Sequence, residues 1–146
     1  MKPSFRGRAR NFVFDANALL SLFEDRPVAA SRVRRLLEEA SHRQNPILLS
    51  AVNWGEVFYI VWRLRGEEKA LEAEAKVRQL PIAVIAADQY RATRAASLKQ
   101  KHNLGYADAF AAELAIERKA QLVTADPEFS KLGKVLSVYE LPRHES

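Results

Sequence analysis

The chain alternates short apolar runs with longer stretches in which apolar residues recur every three or four positions, and the connections between them are brief. This is the pattern of strands joined by amphipathic helices. Asn11-Phe12-Val13-Phe14 predicts a buried strand, followed by a short helix around Ala18 to Phe23. Asp25 and Pro27 carry the cap and early-proline signals of a second helix, Val28 to about Ser41. Pro46 to Leu49 predicts the next strand, and Ser50 is placed to cap a helix that runs to about Arg65 and stops at Gly66. Glu67 to Gln79 predicts a further helix and Ile82 to Ile85 a third strand, after which Asp88 caps a helix reaching about His102. Asn103 to Gly105 separate that helix from an Ala-rich one over Tyr106 to Lys119. Gln121 to Thr124 predicts strand four, Asp126-Pro127 a helical turn, and Lys134 to Val138 a fifth strand.

Strands separated by helices need crossover connections, so the expected fold class is α/β, a mostly parallel sheet covered on both faces. At 146 residues, with neither repeats nor low-complexity tracts, the chain predicts one domain over residues 11–146. It contains no cysteine, which excludes disulfides, thiolate zinc sites and a cysteine nucleophile. Any metal site must use oxygen or imidazole. No run of about eighteen apolar residues occurs, and residues near the start lack the apolar stretch of a secretory signal, so a soluble, cytoplasmic protein is expected.

The net charge of +5 invites a nucleic-acid partner. Its distribution changes that picture, because Lys2, Arg6, Arg8 and Arg10 stand among the first ten residues with no acid beside them. Most of the excess therefore belongs to a short arm, residues 1–10, that Pro3 and Gly7 predict to be flexible.

In an open parallel sheet, ligands bind beyond the carboxyl ends of the strands. Four acids answer that description: Asp15 after strand one, Glu56 in the second turn of the helix after strand two, Asp108 at the start of the Ala-rich helix, and Asp126 after strand four. A helix cap accounts for Asp15 equally well, and Asp126-Pro127-Glu128 is an ordinary helix start. Glu56 is harder to dismiss, since Val52 and Ile60 put it on an apolar stripe. Asp108 is the only charge between Leu104 and Ala112, with no lysine or arginine one turn away. A carboxylate so placed needs a cation or a donor. A shared metal ion is the simplest common explanation, and oxygen donors select Mg²⁺ or Mn²⁺ over zinc. Other chemistries find less support: His42, His102 and His144 fall at helix ends or in the tail, and the five glycines form no phosphate-binding loop.

The order and surroundings of the four acids resemble the PIN domain family. The resemblance rests on Val13-Phe14-Asp15-Ala16-Asn17-Ala18-Leu19-Leu20, on Leu49-Ser50-Ala51-Val52-Asn53-Trp54-Gly55-Glu56-Val57, on Tyr106-Ala107-Asp108-Ala109-Phe110-Ala111-Ala112, and on Leu122-Val123-Thr124-Ala125-Asp126-Pro127-Glu128-Phe129. Each motif is short, and four in this order across nearly the whole chain are specific. The compact length resembles the VapC-like toxins of type II toxin–antitoxin modules. That resemblance implies a three-layer α/β/α sandwich on a five-stranded parallel sheet, Mg²⁺- or Mn²⁺-dependent ribonuclease activity, a homodimer, and neutralisation by a small antitoxin protein. It further implies that Asp15, Glu56, Asp108 and Asp126 bind metal and act in catalysis, with Asn17 and Thr124 supporting them by hydrogen bonds. Ala16 departs from the pattern, which often has Ser or Thr there, so one hydroxyl contact is missing.

Two other readings stay open. An aspartyl phosphotransferase of the haloacid dehalogenase kind also ends its first strand on Asp, but wants a second Asp where Asn17 stands. A PIN-like fold turned binding module would retain the shape without the reaction. Arg32, Arg34, Arg35, Arg63, Arg65, Lys99 and Lys101 are loose candidates for contact with RNA phosphates. Trp54, Phe58 and Trp62 follow helical spacing into the core, leaving Tyr59 on another face.

Overall fold

The computed structural model describes residues 10–143, so the expected basic arm, apart from Arg10, and His144 lie outside the described residues. Five strands form one sheet: β1 Phe12–Phe14, β2 Ile47–Ser50, β3 Ile82–Ile85, β4 Gln121–Thr124 and β5 Val138–Glu140. Their order is β3-β2-β1-β4-β5, and all four pairings are parallel. The helices are α1 Ala16–Phe23, α2 Ala29–Arg43, α3 Ala51–Arg65, α4 Glu67–Gln79, α5 Gln89–His102 and α6 Tyr106–Arg118, with a kinked 3₁₀ segment over Pro127–Val135.

Side chains alternate across a strand, and here both sides are covered. Phe12, Phe14, Ile47, Leu49 and Val123 enter a core closed by α1 to α4, whereas Val13, Leu48 and Leu122 enter one closed by α5, α6 and the 3₁₀ segment. The result is a three-layer α/β/α sandwich. From β1 the chain builds outward through β2 to β3, then returns across the sheet to β4. The strand order thus reverses between β1 and β4, which is where a doubly wound sheet opens a crevice at its carboxyl edge. Among the described residues, no helix is long and apolar enough to cross a membrane.

Two local expectations are corrected. The fifth strand starts at Val138 rather than Lys134, because the 3₁₀ segment continues to Val135 past Gly133 at φ 56°. The buried Leu136 then anchors the turn into β5. Asp25 does not cap the second helix. It lies in the preceding turn at φ 50° with its carboxylate on Arg34 at 2.6 Å, while Val28 holds the cap position without a side-chain hydrogen bond. Ser50 and Asp88 do cap α3 and α5, accepting from Val52 N and Arg91 N.

The layer of α5 and α6 is tied by charge as well as by packing. Glu113 of α6 is fully buried and accepts from Arg91 at 3.1 Å and from Arg94 at 3.0 Å, both on α5. Removing one partner of a buried pair leaves charge uncompensated, so Arg91→Ala is expected to cost about 2–4 kcal/mol in urea unfolding. The exposed pair Arg78–Glu74, 3.5 Å apart, provides the contrast. Arg78→Ala should change stability by less than about 0.5 kcal/mol.

Candidate active site

The site begins with a strand end and a helix start that share one residue. Asp15 follows β1 directly and occupies the cap of α1, where the first backbone N–H groups have no helical partner. Its Oδ1 accepts from Ala18 N at 2.8 Å, and its Oδ2 accepts from the Thr124 hydroxyl at the end of β4. The residue is only 3% exposed. Burial pushes its carboxyl up to about 7; the bonds from Thr124 and Ala18 act against that shift, and the charges of Asp108 and Asp126 add to it. Asp15 is therefore a helix cap and a member of an acidic cluster at once.

Asp126 stands two residues beyond β4 and caps the 3₁₀ segment, with Oδ1 accepting from Glu128 N at 2.9 Å. Its own backbone N donates to Thr124 Oγ1 at 2.9 Å. One threonine hydroxyl thereby links the ends of β1 and β4 across the point where the strand order reverses.

Glu56 and Asp108 approach from two helices. In α3 the fully buried Asn53 donates through Nδ2 to Glu56 Oε1 at 3.1 Å and to the Ala107 carbonyl at 3.0 Å. The second bond lands beside Asp108, so this amide joins both helices under the cluster. Asp108 lies half-buried in the first turn of α6. Burial first, and with it the charges of Asp126, Glu56 and Glu128, pushes its carboxyl up to about 6. Gly105 precedes it, and a Cβ there would stand 3.3 Å from Asp108 Oδ2, closer than such contacts usually fall. Glycine leaves the carboxylate its room.

The structure thus brings Asp108 within electrostatic reach of Asp15, Glu56 and Asp126 at one edge of the sheet, with Asp15 and Asp126 also in reach of each other. None of the four makes an ion pair with a described residue. Thr124 is bonded to two of them. Asn17 is not brought into the network: its Oδ1 is buried with no hydrogen-bond partner among the described residues. Nor do any three His, Asp or Glu side chains among the described residues stand close enough to hold one ion. The donor set itself suits a hard divalent cation, being all oxygen, negatively charged and engaged in no ion pair among the described residues.

Three participants carried weaker sequence signals. Asn53 lies three residues before Glu56, the spacing of neighbours on a helix face. Glu128 follows Asp126 in the helix start, and Gly105 looks like an ordinary breaker. Farther out, Trp54 and Phe58 pack on the core, whereas Trp62 and Tyr59 remain 45% and 54% exposed. Arg63 lies over the Tyr59 ring, and Arg34 is occupied by Asp25.

The sequence model of the PIN domain matches residues 12–135. Comparison with curated proteins returns no match. Among solved structures, the chain is similar to VapBC2 from Rickettsia felis bound to a DNA fragment from its promoter, at 16% identity and a TM-score of 0.69, covering 89% of this chain and 98% of that one. It is also similar to VapC20 of Mycobacterium tuberculosis, a sarcin–ricin loop cleaving toxin, at 17% identity and TM-score 0.67, over 84% and 95% of the two chains. A toxin–antitoxin complex from Klebsiella pneumoniae matches at 23% identity and TM-score 0.63, over 89% and 99%.

The raised Asp15 carboxyl has a consequence for stability. A folded-state value near 7 against an ordinary 3.8 means that the folded protein holds this proton more tightly than the unfolded chain. The stabilisation is full below about 4 and is lost as pH rises through 7. Metal-free protein should accordingly resist urea less at pH 8 than at pH 5. Asp15→Asn should reduce that difference, gaining about 1–4 kcal/mol at pH 8, because each tenfold change in proton affinity is worth roughly 1.4 kcal/mol.

Proposed function

The chain belongs to the PIN domain family, and we propose that it is a Mg²⁺- or Mn²⁺-dependent endoribonuclease, the toxin of a type II toxin–antitoxin pair. The observation that carries this reading is the gathering of Asp15, Glu56, Asp108 and Asp126 at the β1/β4 reversal without a single cationic partner among the described residues. Burial, with repulsion among the acids added to it, has raised two of the carboxyls, a cost that a structural role does not require.

In this reading Asp15, Asp108 and Asp126 are the principal metal ligands, and Glu56 holds a further ion or orients the attacking water. A divalent ion so held would lower the pKa of bound water and stabilise the charge that builds on a phosphodiester. The chain's own groups supply alignment: Thr124 fixes one oxygen of Asp15, Asn53 fixes one oxygen of Glu56, and Gly105 keeps space beside Asp108. The raised carboxyls imply that protons leave as metal enters, so affinity should increase with pH through about 6 to 7.

The toxin–antitoxin assignment draws on fold likeness to the VapBC complexes. A cognate antitoxin and an RNA are the proposed partners, and the exposed Tyr59, Trp62 and Leu64 of α3 favour a homodimer. Cytoplasmic action follows from an RNA substrate. The alternative is a catalytically silent binding module that keeps the fold without the reaction.

Incubation of purified protein with total RNA and a defined set of tRNAs, in Mn²⁺, Mg²⁺ or EDTA, separates the two. Cleavage should require metal and fall more than about 100-fold in Asp108→Asn, beyond the 10–100-fold typical of losing a residue that merely supports a ligand. The same variant should be as stable as the parent or more so, having lost a repelled carboxylate. Metal-independent cutting, or full activity of Asp108→Asn in saturating Mn²⁺, would sink the assignment.

A further inference from the structure

Beyond the acids, the carboxyl ends of β4 and β5 enclose a cavity of about 230 Å³ whose walls include Thr124, Asp126, Pro127, Glu140, Leu141 and Arg143. We infer that this cavity is a subsite for the RNA strand next to the cleaved bond, with the Arg143 guanidinium taking a backbone phosphate. The inference rests on the ribonuclease reading and adds to it a residue for holding substrate.

The segment that carries Arg143 is fastened to the site by the residue that links the acids. Thr124 pairs with Glu140 in the β4–β5 register, and the Thr124 carbonyl accepts from Leu141 N at 2.8 Å. Leu141 is buried in the core, and Pro142 then restricts the backbone just before Arg143. The anchor is therefore rigid up to one residue from the arginine. Residues 136–143 lie beyond the part of the chain that the PIN model matches.

Charge supplies the second argument. A polyanion approaching several clustered carboxylates is repelled unless a cation receives it. Lys131, which reaches toward the same acids through Glu128, is already engaged by that carboxylate and by the Asn103 carbonyl. Arg143 shares a cavity with Asp126, is exposed, and makes no ion pair with a described residue. Its planar fork suits two oxygens of one phosphate. Glu140 on the same wall repels an anion, which sets the phosphate on the Arg143 side. The volume falls below the roughly 300–1,000 Å³ of pockets that enclose whole drug-sized ligands. It admits one phosphate and part of its sugar, as an open strand passing over the site would present.

The test uses a fluorescein-labelled, mixed-sequence, twelve-nucleotide single-stranded RNA. Binding is followed by anisotropy in Ca²⁺ across a salt series, and cleavage is followed in Mn²⁺. Arg143→Ala should raise KM about tenfold with kcat within twofold of the parent. It should also flatten the salt dependence by about 0.7 in log Kd per log salt, the loss expected for one single-strand phosphate contact. Arg143→Lys should restore most of the slope, and Arg78→Ala should change neither quantity. If the parent cuts this RNA and Arg143→Ala binds and cuts as well as it does, the subsite is refuted while the nuclease reading stands. A fall in kcat with unchanged slope also refutes it, placing Arg143 on the acids rather than on phosphate. If the parent binds with the expected slope difference but cuts nothing in any metal, the nuclease reading falls and the phosphate subsite remains.

Discussion

The architecture turns on the burial of one carboxylate between the ends of two neighbouring strands. Asp15 is there because β1 and β4 are adjacent parallel strands whose chains leave the sheet in opposite directions along its order. Burying that group unpaired would cost several kcal/mol. The fold offsets the cost with donors it has at hand, the N–H of Ala18 and the hydroxyl of Thr124. Thr124 cannot be exchanged for an apolar strand residue without consequence on two sides. Its hydroxyl serves Asp15 and receives Asp126 N, while its backbone carbonyl, which any residue would supply, anchors the exit of β5.

Helix starts supply the remaining compensation. Asp15 caps α1, Asp126 caps the 3₁₀ segment, and Asp108 lies in the first turn of α6. Each carboxylate thus meets the positive end of a helix, a contribution of about 0.3–1 kcal/mol at an exposed terminus and more where water is excluded. Helix termini stabilise each acid singly and leave the repulsion among them in place. Burial and that repulsion together raise Asp15 and Asp108, although both carboxylates sit where isolated acids are favoured.

Much of this was legible in the sequence, for identifiable reasons. Burial on both faces made β1, β2 and β4 continuous apolar runs, and Ser50, Asp88 and Asp126 announced helix starts that the structure places at those residues. The acids on α3 and α6 stood out because charge is rare on an apolar face. The boundaries of β5 were hidden because Val135 and Leu136 are apolar without being strand residues: Leu136 closes the layer beneath the 3₁₀ segment, and Val135 ends that segment exposed. Asp25 mimicked a cap because its composition fits one, while Arg34, nine positions away, held its carboxylate elsewhere. Asn53 and Arg143 depend on contacts across 54 residues of chain in the first case and on a cavity between two strand ends in the second, and neither leaves a local pattern.

Helix α6 contains its own control for the meaning of an unpaired acid. Glu113, five residues from Asp108, is more deeply buried, and the fold surrounds it with two arginines from α5. The same layer could have supplied a basic residue to Asp108, since α5 carries several and the turn before α6 passes beside it. Instead the position before Asp108's turn is Gly105, which withholds even a Cβ, and the neighbouring charges are acids. A protein that neutralises one buried carboxylate of a helix and leaves the other facing its own kind has kept the second available. On the proposed reading, what it is kept for carries positive charge, accepts oxygen donors, and arrives from solvent at the edge of the sheet where the strands end.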